Sequence, residues 1–83
     1  MSVPTTLDRL KPGECGSVTG VDGNDELSQR LSDMGFWPGT EVRVIRRAPL
    51  GDPIQYSLRG FELALRANEA RRVQVHLNVG AQS

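Results

Sequence analysis

The sequence predicts a mostly-β fold, in which five short strands close into a small barrel and one α-helix lies between the first two strands. Short segments of alternating apolar and polar residues recur along the chain, with turn residues between them. Too few residues separate the last three segments for crossover helices, so those strands must pair antiparallel. We expect a single domain over residues 1–83, with a core between about residues 6 and 77. Closing the sheet removes edges that invite aggregation.

The start of the chain predicts little regular structure. Residues 1–5 are expected to form a frayed lead-in. Leu7 and Leu10 are three residues apart, as on one face of a short helical turn, and Thr6 is a suitable cap for that turn. Residues 14–21 then predict the first strand, and the breakers that follow end it.

One segment has the spacing of an amphipathic helix. Asp25 is a good N-cap, and the helix is predicted to run to about Met34. Leu27, Leu31 and Met34 form one apolar stripe at helical spacing, so we expect Leu31 and Met34 to lie in the core. Gly35 stands where a helix usually ends with a residue of positive φ.

A Pro-Gly pair marks the turn before the second strand. Pro38 and Gly39 have the residue types of the two central positions of a type II turn, which predicts a positive φ at Gly39. One helical turn is expected over residues 67–70, and a disordered tail over residues 80–83. Alternation predicts the other four strands at residues 41–47, 54–59, 61–66 and 73–77.

Charge and composition exclude several classes of function. Ten basic residues balance ten acidic ones, which argues against binding nucleic acid, because that requires a cationic surface. Acidic residues predominate before residue 40 and basic ones after it. This uneven charge distribution either orients the protein on a charged partner, or the charged side chains only solvate the exposed strand faces. No apolar run is long enough for membrane insertion. With one cysteine, no internal disulfide forms. Without a signal peptide, we expect a cytoplasmic protein.

The chain offers few residues for catalysis or metal binding. Cys15 lies in the first predicted strand and His76 in the last, so neighbouring strands would make them a weak two-ligand candidate. Zinc sites use three or four protein ligands, so we predict no native metal site. Because the chain has so few candidate residues, we also predict no cofactor and no enzymatic activity. Four acidic residues around the helix suit capping and the helix dipole better than a cation site, and these are Asp22, Asp25, Glu26 and Asp33.

Two large apolar residues lie in turns that do not require them. Trp37 and Leu50 either anchor a protein partner or fold back to plug an end of the barrel. We predict that the loop at residues 48–53 is the partner-binding site, because its two prolines limit the backbone freedom lost on binding. The predicted contact residues are Trp37, Arg46, Arg47, Pro49, Leu50, Gly51 and Asp52.

Four segments, in order, resemble the FeoA family. They are LDRLKPG at residues 7–13, RLSDMGFWPGT at 30–40, APLGDP at 48–53 and RGFELALRANEA at 59–70. The resemblance extends from about residue 6 to residue 77. Each segment alone is a weak signal, and their order and spacing together make the resemblance specific.

The resemblance implies a barrel of the SH3-like class and a role beside FeoB, a membrane ferrous-iron transporter with a cytoplasmic GTP-binding domain. FeoA-like domains also occur at the C-termini of iron- and manganese-dependent repressors. Because no DNA-binding helices precede the barrel here, we expect a free-standing accessory protein. This protein is expected to bind the cytoplasmic part of FeoB and to regulate it. The family implies no catalytic residues. Weak self-association stays open. One alternative is activation of GTP hydrolysis by Arg46, Arg47 or Arg59. Another is metal sensing through Cys15 and His76.

Overall fold

The computed structural model describes residues 2–78 and confirms the mostly-β fold. Breaker residues keep its elements short, as the sequence predicts. A 3-10 helix spans Leu7–Arg9. Two α-helices span Glu26–Asp33 (α1) and Ala67–Ala70 (α2). The strands are Ser2–Thr6 (β1), Cys15–Val21 (β2), Glu41–Arg47 (β3), Ile54–Leu58 (β4), Phe61–Leu65 (β5) and Val73–Asn78 (β6). The disorder expected of residues 80–83 lies outside the described residues.

All six strands form one antiparallel sheet in the order β1-β6-β2-β3-β4-β5. The antiparallel pairing of β4 with β5 confirms the prediction. The last strand, however, pairs with β2 and β1 and not with β5, because α2 carries the chain away from β5 first. Within residues 2–78 no ladder joins β1 to β5. The 3-10 helix after β1 contacts α2 after β5, so helical turns bring these two sides together.

The expected frayed lead-in is wrong for residues 2–5, which belong to a sixth strand. β1 pairs with β6 from Ser2 opposite Asn78 to Thr6 opposite Gln74. Pro4 does not prevent this pairing, because an edge strand tolerates a residue that lacks an N–H group on its free side. Local sequence patterns do not predict this pairing, since the partner strand lies at the other end of the chain.

The core lies between the sheet, α1 and the two short helical segments. Leu31 is fully buried, which confirms its predicted place, whereas Met34 and Leu27 are only partly buried at the edge of the core. The buried apolar residues are Leu7, Leu10, Val18, Leu31, Phe36, Val42, Val44, Ile54, Tyr56, Leu58, Leu65, Ala70, Val73 and Val75.

Both ends of α1 are capped as the sequence predicts. The Asp25 carboxylate accepts a hydrogen bond from the Ser28 N–H at 3.2 Å, and Arg72 also donates to it. The hydrogen bond from Arg72 is the main cause that lowers the pKa of Asp25. At the other end, the Phe36 N–H reaches the Leu31 carbonyl at 3.2 Å, and Gly35 has φ +110°. These are the features of a Schellman cap.

The turn before β3 also follows the prediction. Gly39 has φ +92°, and the Thr40 N–H donates to the Trp37 carbonyl at 2.9 Å. A positive φ after Pro38, with this hydrogen bond, fits a type II turn. The turn leads the chain from α1 into β3 and holds Trp37 at the surface.

Candidate partner-binding surface

The loop at residues 48–53 joins β3 to β4 and presents Leu50 at its tip. The Ala48 N–H donates to the Pro53 carbonyl at 3.0 Å and closes the base of the loop. The Gly51 N–H donates to the Ala48 carbonyl at 2.7 Å, which makes a β-turn with Pro49 and Leu50 at its centre. The exposed fraction of Leu50 is 97%, so this side chain does not plug the core.

A bulge in β3 decides where the two arginines before the loop point. Val44 pairs with Tyr56, but Arg46 pairs with Gln55, so Ile45 is an extra residue in the strand. The insertion reverses the inward and outward alternation beyond it. Arg46 is therefore exposed, and Arg47 turns toward the protein beside the buried Ile54. The sequence predicts that both arginines face a partner, and the bulge leaves only Arg46 on the exposed side.

Two polar side chains fasten the loop to the body of the protein. Arg47 donates from Nη2 to the Asp8 carbonyl at 2.6 Å and from Nη1 to the Gly51 carbonyl at 3.2 Å. On the far side, the Asp52 carboxylate accepts a hydrogen bond from the Ala67 N–H at 2.6 Å. Both side chains hold the loop in place, and the turn at its tip remains free for contact.

A polar network extends from the loop across β4 and β5. Arg46 Nε donates to Gln55 Oε1 at 3.0 Å, and Gln55 Nε2 donates to Glu62 Oε1 at 2.9 Å. These side chains alternate with buried residues, so they lie on the side of the β3–β4–β5 sheet that faces away from the core. We call this side the outer meander face: Glu41, Arg43, Arg46, Gln55, Ser57, Glu62 and Ala64.

Trp37 lies at the opposite end of this face from Leu50. The loop follows the pair Arg47–Ile54, whereas Trp37 lies near the pair Val42–Leu58. Four residue steps along β4 separate the two pairs, because Ile45 is an extra residue on β3, and four steps span about 14 Å at about 3.4 Å per residue. The predicted contact residues therefore form two groups. One shallow depression beside the loop includes Arg46, Pro49, Gln55 and Ala64, and another includes Trp37, Glu41 and Arg59.

Trp37 is half exposed and fixed in position. Its indole Nε1 donates to the Ser32 carbonyl at 2.7 Å, and its exposed fraction is 46%. The Arg59 guanidinium carbon lies 4.2 Å from the centroid of the indole ring. From sequence, Arg59 is only one of three candidate arginines for GTP hydrolysis, and its contact with Trp37 is not predicted. The available signal was an arginine before glycine in a two-residue turn, where asparagine is the usual residue.

The weak metal-site candidates lie on neighbouring strands. β2 and β6 pair, with Ser17 opposite His76, so Cys15 is two residues further along the same face. Cys15 is half-buried and His76 is exposed. Over the part of the chain that the structure describes, no three His, Cys, Asp or Glu side chains converge where they would hold a metal ion. The same residues contain no helix long and apolar enough to cross a membrane.

Comparison with known proteins identifies similar chains. The family model described as the FeoA domain matches residues 5–77. A Porphyromonas gingivalis fusion of Fe(2+) transport protein A with the Fe(2+) transporter FeoB is 31% identical over 86% of this chain. This chain spans 8% of the length of that fusion protein.

Solved structures extend the likeness to three dimensions. A FeoA-like protein from Clostridium acetobutylicum superposes with a TM-score of 0.89 and is 30% identical; the match covers 100% of this chain and 96% of that one. FeoA from Stenotrophomonas maltophilia, solved with zinc and described as an SH3 domain protein, has a TM-score of 0.77 and 35% identity. That match covers 86% of this chain and 88% of the other. The SH3-like class expected from the sequence is thereby confirmed.

Proposed function

This chain belongs to the FeoA family, which is associated with ferrous-iron transport, and on that premise we propose that it is a cytoplasmic, non-enzymatic regulator that binds the cytoplasmic part of a FeoB transporter. The fusion protein of Porphyromonas gingivalis supports this partner, because it joins Fe(2+) transport protein A and the transporter FeoB in one chain. Covalent linkage keeps the two parts of the fusion at a high effective concentration, which favours contact between them.

The observation that carries the proposal is the exposed leucine at the tip of a fastened loop. Removing the exposed Leu50 side chain from water stabilises a complex by about 1.5–3 kcal/mol, so this residue is a suitable anchor. Arg47 and Asp52 already hold the loop, so binding orders little additional backbone. Pro49 beside the leucine adds apolar surface and limits motion further.

Regulation requires that the binding energy differ between transporter states. A module that binds two conformations of FeoB equally well shifts neither population. Differences of about 1–3 kcal/mol between states are typical of allosteric coupling.

The direct test replaces Leu50 by aspartate. Because Leu50 is almost wholly exposed, Leu50→Asp retains its fold and melting temperature. We expect it to lose binding to the purified cytoplasmic part of the cognate FeoB and to fail to restore ferrous-iron uptake in cells that lack the wild-type protein. Gln74→Glu adds the same charge at an exposed position on β6 and serves as the control. A folded Leu50→Asp protein with normal binding and uptake would overturn the proposal.

A further inference from the structure

The turn between β4 and β5 contains a residue that does not suit it. Arg59 has φ +52° and Gly60 has φ +86° at the two central positions between Leu58 and Phe61. Two positive φ angles are the signature of a type I′ hairpin turn, for which Asn-Gly is strongly preferred. Arginine is unfavourable in this backbone region because of its Cβ atom. The turn alone therefore does not explain why arginine occupies this position.

The side chain of Arg59 packs over two neighbouring residues. Its guanidinium lies above the Trp37 ring, with Cζ 4.2 Å from the centroid. A Cβ atom at Gly35 would lie 3.1 Å from the Arg59 Cδ, so the C-cap glycine of α1 leaves room for the arginine stem. The hydrogen bond from Trp37 to Ser32 fixes the ring on which the arginine stacks. The stack is thus organised before any partner arrives.

The donors of this guanidinium are available. Within residues 2–78, Arg59 forms no ion pair and its side chain donates no hydrogen bond. The carboxylate of Glu41 borders the same depression without pairing with Arg59. Stacking occupies the flat face of a guanidinium and leaves its edge, with parallel N–H groups, open to a planar carboxylate.

We propose that the stacked Trp37–Arg59 pair is a second anchor, which binds an aspartate or glutamate side chain of the protein partner. This inference rests on the proposed function, since the partner is the cytoplasmic part of FeoB. The anchor and Leu50 lie at opposite ends of the outer meander face, beyond two strand pairs that are about 14 Å apart. One partner surface of ordinary size covers both, because a standard interface buries about 800 Å² on each side. Leu50 supplies apolar contact, and Arg59 fixes orientation.

The decisive variant is Arg59→Asn. Asparagine suits the type I′ turn, so the melting temperature stays the same or rises, while the charge and the stack are lost. We expect the dissociation constant for the purified cytoplasmic part of FeoB to increase at least about tenfold, with a weaker dependence on salt. Arg59→Lys retains the charge but not the planar fork, and we expect it to lose most of the same affinity. Arg71→Asn removes an equal charge from an exposed position beyond α2 and is the matched control.

The outcomes distinguish this inference from the proposed function. Failure of the wild-type protein to bind FeoB would overturn both. Binding that is lost in Leu50→Asp but unchanged in Arg59→Asn would overturn the second anchor alone. Equal weakening by Arg59→Asn and Arg71→Asn would show only a long-range effect of net charge and would also overturn it. A folded Arg59→Asn that binds weakly, beside an Arg71→Asn with normal affinity, would support it.

Discussion

Leu31 connects α1 to the core, because it is the residue of the helical stripe that has no exposed surface. We expect Leu31→Ala to lower the free energy of unfolding by about 2–5 kcal/mol, since truncation removes apolar contacts and leaves a cavity. Urea denaturation measures this change. Leu27→Ala, at a half-buried position of the same stripe, should cost clearly less. A loss below about 0.5 kcal/mol for Leu31→Ala would contradict the packing described here.

Tyr56 makes stability depend on alkaline pH. Burial raises the pKa of its hydroxyl, which donates to the Leu7 carbonyl at 3.3 Å. The unfolded chain ionises this group near pH 10 and the folded chain does not, so unfolding releases a proton above that pH. The stability is therefore complete below about pH 10 and falls by about 1.4 kcal/mol per pH unit above it.

Two measurements check this dependence. Urea denaturation of the wild-type protein between pH 9 and pH 11 should show the decline, and Tyr56→Phe should lack the part due to tyrosine. Because the chain has one tyrosine, tyrosinate absorbance reports this group alone and should appear only as the protein unfolds. Tyrosinate that forms near pH 10 in the folded protein would contradict the burial of the hydroxyl.

Among the elements, the turn before β3 depends on backbone conformation alone. A Cβ atom at Gly39 meets nothing within 4 Å, so the cost of a side chain there comes from the positive φ. We expect Gly39→Val to lower the free energy of unfolding by about 1–2 kcal/mol. Gly39→Asn should cost less, because asparagine tolerates this region. Equal stability of the valine variant and the wild type in urea denaturation would show that the turn relaxes without cost.

Elements that depend on neighbouring residues were predictable, and elements that depend on distant ones were not. Asp25, Gly35 and Gly39 act within a few residues of themselves, so local patterns identified the helix caps and the turn. β1 exists because its residues pair with residues 68 to 76 positions further along the chain, and the bulge at Ile45 arises from pairing with β4. Neither has a local signature.

The bulge also limited the prediction of the candidate site. A pattern of alternating residues does not reveal that an extra residue is inserted into a strand. Here the inserted Ile45 turns the Arg47 side chain from the surface toward the Asp8 carbonyl. The exposure of Leu50, in contrast, follows from its place at the tip of a short surface loop. The loop could be selected from sequence, but the division between residues that fasten it and residues that remain free could not.

At the scale of the whole molecule, the sheet order places both proposed anchors on the β3–β4–β5 side. β2 and β3 lie in the middle of the sheet, and β1 covers the outer side of β6. Both exposed anchors, Leu50 and the Trp37–Arg59 stack, belong to connections at the ends of β3, β4 and β5. A partner that follows these strands meets apolar, polar and cationic groups in succession.

The proposed binding of FeoB to the outer meander face, with Leu50 at one end, can be observed residue by residue. Its most direct test is a titration of the ¹⁵N-labelled protein with the unlabelled cytoplasmic part of the cognate FeoB, followed by amide NMR spectra. We predict that the largest changes occur at Leu50 and Gly51, with a second group at Arg59, Gly60 and the Trp37 indole. Changes confined to α1 and β1, with the loop amides unmoved, would contradict the account.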